Sequence, residues 1–286
     1  MISVVVIARN EGARLIRTVE RYAATLPVNS EIIVVDDAST DGSAGMLPTD
    51  RRIRVVRGSG KGVAQGRNLG ARRAKGDLLV FSDAHIDVEK GWWKPLAARA
   101  TRPGVGGVAP AVASVTRPKR IGHGLRFSGS DLDVVWLWRE DMKPHRAPLI
   151  PWCSTMMARS VFEASGGFDE GMRGAGSIDN EMSLRLWLLG YELWIEPAVV
   201  VGHLFRRTRP YPIIDWFYLH NRARLAFVHL ELPRIARFLR VLRHDPGLPP
   251  ALALAATADI ARRRRVLTAQ RRYDSEWYFK RFDPRA

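Results

Sequence analysis

The sequence contains a single cysteine, Cys153, so no disulfide can form within the chain. A secreted scaffold of this size usually carries several cysteines, and the composition points instead to a reducing, cytoplasmic setting. Long apolar runs are missing too. Ile2–Ala8 runs straight into Arg9, Asn10 and Glu11, without the basic leader or cleavage site of a signal peptide. It reads as a buried first strand. Leu248–Ile260 falls short of the roughly 18–20 residues that a membrane-spanning helix needs, so no transmembrane span is predicted. Acidic residues are scarce: 29 Asp and Glu face 45 Lys and Arg, a net charge of +16. That excess implies an anionic partner, which nucleic acid, a membrane surface or a phosphorylated substrate would each satisfy. Much of the excess lies after residue 205, whereas the carboxylates placed for chemistry lie before residue 182.

With 286 residues, 46% of them hydrophobic, the chain can form one large α/β domain or one domain with an extension. No repeat or low-complexity linker divides it. The N-terminal third alternates strand-like and helix-like patterns. Strands are predicted at Ile2–Ile7, Glu31–Val35, Ile53–Val56 and Leu78–Phe81, with helices at Gly12–Thr25 and Gly62–Lys75. Such alternation predicts a mainly parallel sheet covered by helices on both faces. Ligands of open sheets of this class bind beyond the carboxyl ends of the strands, which selects Arg9–Asn10, Asp36–Asp37 and Ser82–His85.

Residues 102–150, with early Gly, Pro and basic clusters and a later group of Asp131, Asp133, Trp136, Trp138, Glu140 and Asp141, read as an irregular insertion. Asp179–Leu189 reads as a helix capped by Gly190, and Leu193–Glu196 as a strand stopped by Pro197. From Pro233 the chain looks helical. Ile235, Phe238, Leu239 and Leu242 share one face, and Arg234, Arg237, Arg240 and Arg243 occupy the other. This basic helical extension, residues 231–286, either lies on an anionic membrane or packs its apolar face on the catalytic domain, residues 1–230.

Asp83-Ala84-His85 follows a strand, so side chains 83 and 85 leave its end in the same direction. A carboxylate and an imidazole so placed suit a divalent cation, manganese or magnesium, that bridges diphosphate oxygens. Asp36-Asp37 ends the second strand and leads into Ser39, Thr40 and Asp41, where carboxylates could meet a nucleoside or shape a turn. Asn10 and Glu11, after the first strand, join them as donor-binding candidates. Trp92, Trp93, Trp187 and Trp194 read as core; Trp136, Trp138 and Trp152 could stack on a sugar or acceptor ring.

The chain resembles glycosyltransferase family 2, and within it the branch of polypeptide N-acetylgalactosaminyltransferases. The resemblance rests on Ser3–Glu11, Val34–Asp41, Gly66–Ala71, Asp83–His85, Gly91–Leu96, Gly167–Met172, Glu181–Trp187 and Val201–Arg206, which occur in family order. It implies an A-type nucleotide-sugar transferase fold and a nucleotide-sugar donor, with uridine diphosphate as the expected carrier. Asp83 and His85 match the metal-binding Asp-x-His, and His203 the third protein ligand. Asp37, with Asp36 beside it, matches the carboxylate that contacts uracil or ribose. Arg67 matches a basic position near the donor; its other reading is a solvated helix face. Asp179 matches the position often assigned the general base, which implies inversion, with cap formation as its structural alternative and Glu181 as a second carboxylate. The peptide-modifying branch has Glu-Asn where this chain has Ile178-Asp179, so neither its acceptor nor its mechanism transfers. No stretch of the chain corresponds to the lectin domain of those enzymes.

A dinucleotide-dependent oxidoreductase would need a glycine fingerprint in the first βα turn, which reads Ala8-Arg9-Asn10-Glu11-Gly12 instead. A basic nucleic-acid module would account for the arginine run 262–265 but would leave the acidic strand ends unexplained, so no nucleic-acid partner is expected.

Overall fold

A computed structural model describes residues 1–283 except 140, 207 and 213, so Glu140 lies outside the described residues. β1 (Ile2–Ala8) is buried throughout, as a central parallel strand covered on both faces must be. It pairs in parallel with β2 (Ser30–Asp36) after the crossover helix α1 (Ala13–Thr25). β3 (Ile53–Arg57) lies parallel beside β2, and α2 (Val63–Arg73) returns the chain to β4 (Leu78–Asp83), parallel to β1 on its other side. Alternate side chains of β1 feed two cores: Val4 and Val6 join Leu15, Val19 and Tyr22 of α1, and Val5 joins Ala64 and Ala71 of α2.

β5 (Ile86–Asp87) and α3 (Trp93–Ala100) lead into β6 (Val105–Ser114), which is almost wholly buried inside the sheet. Residues 102–150 therefore correct the expectation of an irregular insertion. Gly106, Gly107 and Pro110 hid the strand pattern, yet Gly106 is required: a Cβ there would lie 2.8 Å from Cβ of Tyr191. β7 (Arg117–Gly122) folds back on β6, and β8 (Leu125–Phe127) pairs with β9 (Val134–Trp136) in a separate small sheet. β10 (His145–Arg146) ends the main sheet, and β11 (Ser154–Ala158) inserts antiparallel between β4 and β6. After α4 (Arg159–Ala164) and α5 (Ile178–Leu188), β12 (Glu192–His203) runs parallel to β6. The resulting order is β10-β12-β6-β11-β4-β1-β2-β3. Pro197 does not stop β12. A register shift between Glu196 and Val200 takes up the residue that has no N–H to give, and the strand continues to His203.

The C-terminal part is helical, in α7 (Leu232–Leu242), α8 (Leu248–Ala256), α9 (Ile260–Gln270) and α10 (Ser275–Phe282) as expected, and already in α6 (Asp215–His229), which the sequence reading did not include. Phe238 and Leu242 of α7 are buried, and Ile235 and Leu239 pack against the core that also contains Val5 and Ile33. The apolar face offered to a membrane is thus used inside the fold; Arg237, Arg240 and Arg243 remain exposed. No helix among the described residues is long and apolar enough to cross a membrane.

Charge also ties the extension to the sheet. Arg224 of α6 is bidentate to Asp169, at 2.9 Å for both bonds, and donates to Asp259 at 2.8 Å. Arg263 of α9 lies 2.9 Å from Asp169 and 3.6 Å from Glu181, which also binds Arg185 at 2.8 Å and His229 at 2.9 Å. Burial disfavours the Glu181 carboxylate, but Arg185, His229 and Arg263 outweigh it and hold its pKa well below the usual range. Burial lowers the His229 pKa despite the opposing hydrogen bond to Glu181.

Two outcomes follow from this network. Arg224 and Asp169 are both about 1% exposed, so Arg224→Ala leaves a buried carboxylate short of its main partner. We expect a loss of about 3–5 kcal/mol, read as a lower urea midpoint. The second outcome concerns acid. The unfolded chain protonates His229 near the ordinary value of about 6.5, before the folded ring does, so stability falls as pH drops below that value towards the folded pKa. The Glu181 share persists above the ordinary carboxylate value of about 4.3 and is lost as pH falls through its lower folded value. Melting temperatures should decline from pH 7 to pH 5, and His229→Gln should make that limb shallower without flattening it, because burial also lowers His123 and His220.

Candidate metal and donor site

Strand pairing assembles the centre. β4 ends at Asp83, whose N–H donates to the Cys153 carbonyl at 3.0 Å. Two residues on, β5 pairs antiparallel with the end of β12, with His203 opposite Ile86 and Gly202 opposite Asp87. His85 is thereby set beside His203, their rings 4.8 Å apart between centroids. One ligand atom from each of Asp83, His85 and His203 lies within 4.8 Å of the others. His203 Nε2 sits 3.2 Å from Asp83 Oδ2. Burial raises the Asp83 pKa, but the His203 hydrogen bond and the charges of Arg67, His85 and His203 prevail, holding the carboxyl well below its usual range. A carboxylate and two imidazoles, half-buried and drawn together, fit a divalent cation.

Arg67 is no solvated helix residue. It is 2% exposed, donates to Asp179 Oδ1 at 2.7 Å and to the Trp152 carbonyl at 2.9 Å, and lies 3.4 Å from Asp83. Burial works against its charge, yet Asp179 and Asp83 raise its pKa. Asp179 does not cap its own helix; the cap position is Ser177, whose side chain makes no capping bond. Its second oxygen instead accepts the Trp152 N–H at 3.1 Å, and the side chain remains 37% exposed.

The other candidates occupy different ground. Glu181 is fully buried in the network with Arg185 and His229, so α5 turns it away from Asp179 and it cannot reach this site. Asp37 is 4% exposed and receives the N–H groups of Gly60 and Gly62, each at 2.8 Å. A Cβ on Gly58 would press against it at 2.8 Å, so this carboxylate holds the 58–62 turn. Asp36 accepts the Ser39 N–H at 2.9 Å. Asn10, at φ +54°, accepts the Thr40 N–H at 2.7 Å and donates to the Pro210 carbonyl at 3.3 Å. Glu11 accepts from Arg206 and lies 3.3 Å from His85 Nδ1. Trp152 is wholly buried and offers no platform, whereas Trp138 is 50% exposed under Arg120 and Trp136 meets Phe205, which leans on His203.

Arg206 had no role assigned from sequence. It lies three residues after His203, but its contact with Glu11 spans 195 positions, and only the turn of the chain after β12 reveals it. The main chain of Trp152 was equally invisible, since backbone donors carry no residue signal. A cavity of about 340 Å³ lined by Arg72, Phe162, Arg224 and Arg262 lies at the seam with α9 and contains none of the metal-ligating cluster.

The mainly parallel sheet, with a carboxylate and two imidazoles gathered at its strand ends, has the A-type nucleotide-sugar transferase fold, which it shares with solved glycosyltransferases. The sequence profile described as "Glycosyl transferase family 2" matches residues 3–164, and the chain belongs to that family. Polypeptide N-acetylgalactosaminyltransferase 3 of Taeniopygia guttata is 32% identical over 258 residues, covering 80% of this chain and 42% of the relative. Polypeptide N-acetylgalactosaminyltransferase 6 of Mus musculus is 31% identical with the same coverage. The chain therefore spans about two-fifths of the length of these curated relatives. Among solved structures, GalNAc-T7 with UDP, GalNAc and Mn2+ superposes with a TM-score of 0.81 at 22% identity, covering 98% of this chain and 56% of that one. The mannosyltransferase PcManGT from Pyrobaculum calidifontis, with GDP-Man and Mn2+, gives 0.55 at 20% identity, covering 99% and 81%.

Asp83→Ala and His203→Ala should each remove manganese-dependent binding of uridine diphosphate in calorimetry while the circular dichroism spectrum stays that of the wild type. Wild-type affinity in both variants would dismiss the cluster as a metal site.

Proposed function

We propose that the protein transfers a glycosyl group from a nucleoside diphosphate donor, most simply a uridine diphosphate sugar, to an acceptor hydroxyl. The carrying observation is the convergence of Asp83, His85 and His203 within 4.8 Å at the ends of β4 and β12, in a chain of glycosyl transferase family 2. These residues would hold manganese or magnesium, and the two imidazole nitrogens favour manganese. Bound there, the cation supplies positive charge to the donor diphosphate. A relative named for N-acetylgalactosamine transfer and a neighbour solved with UDP and Mn2+ support the same donor class.

Asp179 is our candidate for the general base. Arg67 and the Trp152 N–H fix its carboxylate from behind while part of it faces solvent. In the reaction the acceptor oxygen bonds to the anomeric carbon, its proton passes to Asp179, and the diphosphate leaves with the electron pair on the opposite side. That geometry inverts the anomeric centre. Phe205 and Trp136 support an acceptor side next to His203. The exposed arginines of α7 support peripheral contact with an anionic membrane through charge alone.

Asp179→Asn keeps the shape and removes the base. Turnover should fall by about 10²–10⁴ with donor affinity nearly unchanged. NMR of the wild-type product should show the anomeric configuration opposite to that of the donor; a matching configuration would refute inversion.

A further inference from the structure

We propose that Glu11 is a positioning residue for the metal centre: its carboxylate fixes the tautomer and orientation of His85, and Arg206 tempers that hold by sharing the same oxygen. The inference rests on the metal reading of Asp83, His85 and His203. The Glu11 side chain is 6% exposed, and its Oε2 faces both His85 Nδ1, at 3.3 Å, and the Arg206 guanidinium. A carboxylate paired with a guanidinium in this way carries its charge. An ionised carboxylate only accepts hydrogen bonds, so the His85 proton must sit on Nδ1. Nε2 is then the ring's one lone pair, and a carboxylate behind the ring makes that nitrogen a better ligand.

His203 is held differently. Its Nδ1 is buried without a hydrogen-bond partner, and its ring is confined between His85, at 4.8 Å, and Phe205, at 4.3 Å. His85 is therefore anchored from behind through Nδ1, whereas His203 meets Asp83 through Nε2 and has only ring contacts behind it, one of them with His85. The hold of Glu11 thus reaches both nitrogen ligands. Arg206 belongs to the segment after β12 that also meets the first turn through Asn10 to Pro210, at 3.3 Å, and through Arg9 over Tyr211, at 5.5 Å. Its positive charge offsets the negative charge of Glu11 at the oxygen that also meets His85 Nδ1.

The two residues should therefore act with opposite sign. Manganese binding, followed by electron paramagnetic resonance on donor-free protein, should be weakened about 10–100-fold in Glu11→Ala. Glu11→Gln, which can still accept from Nδ1 but lacks the charge, should fall between Glu11→Ala and the wild type and serves if the alanine variant does not fold. Arg206→Ala should bind manganese as tightly as the wild type or more tightly. Nitrogen-15 NMR of metal-free protein should show His85 protonated at Nδ1, with a mixture of tautomers in Glu11→Ala. Wild-type affinity and tautomer in Glu11→Ala would overturn the inference, as would an Arg206→Ala variant weakened like Glu11→Ala. If the wild type itself binds no manganese, the metal reading fails, and the tautomer spectra alone decide whether Glu11 fixes His85.

Discussion

A guanidinium leaves water only where oxygens surround it, and Arg67 is 2% exposed between a metal-candidate carboxylate and a base-candidate carboxylate. Its three partners come from separate elements: Asp179 from α5, Asp83 from β4, and the Trp152 carbonyl from the segment entering β11. Arg67 presents one guanidinium nitrogen to Asp179 and the other to Asp83, so a single buried positive charge serves both carboxylates. The proposed metal ligand and the proposed base are thus tied to one buried residue that neither role employs directly.

Close packing delivers that guanidinium. α2 approaches the sheet so tightly that a Cβ on Gly66 would lie 2.1 Å from Cδ1 of Ile7, and one on Gly70 2.3 Å from Cγ1 of Val5. Larger residues would lift the helix and pull Arg67 away from Asp83. The neighbouring Asn68 grips the loop ahead of α5, donating to the Phe168 carbonyl at 2.9 Å and accepting the Phe168 N–H at 2.8 Å. One helix therefore locates both the cation and the chain that carries Asp179. The second buried network, centred on Asp169 and Glu181, does the same for the C-terminal helices, and so chemistry and architecture use separate sets of charges.

The parallel half of the fold was legible because β1, β2 and β4 are apolar runs bounded by turns, and the Asp-x-His after β4 stood where ligands bind in such sheets. β6 was not, since Gly106, Gly107 and Pro110 are residues that strand patterns penalise; the tertiary approach of Tyr191 to Gly106 and of Ile150 to Gly107 accounts for the glycines. Pro197 misled for the same reason, a bulge having absorbed it. At the site, Asp83, His85, His203, Arg67 and Asp179 were found by motif and do converge. Glu181 was misplaced because adjacency in sequence was read as adjacency in space. Two residues along a helix turn a side chain about 200° around the axis, which moves it from the site into the interior.

Position 179 is where the proposed mechanism parts from the peptide-modifying branch that the sequence resembles. That resemblance sets an amide against the carboxylate of this chain. An asparagine in the same place could still accept from the Arg67 guanidinium and the Trp152 N–H, so the fold would tolerate either residue. The charge would not be the same: Arg67 would keep Asp83 as its only anionic partner, and its positive field would reach the reacting centre less offset. A carboxylate both neutralises Arg67 and provides an acceptor for a hydroxyl proton, which an amide cannot do at neutral pH. The exchange of Glu-Asn for Ile178-Asp179 also swaps a charged neighbour for one that is 2% exposed and packed in the core. A single exposed carboxylate is thereby left at the front of α5, held by Arg67 and the Trp152 N–H, where the proposed displacement needs an acceptor for the hydroxyl proton.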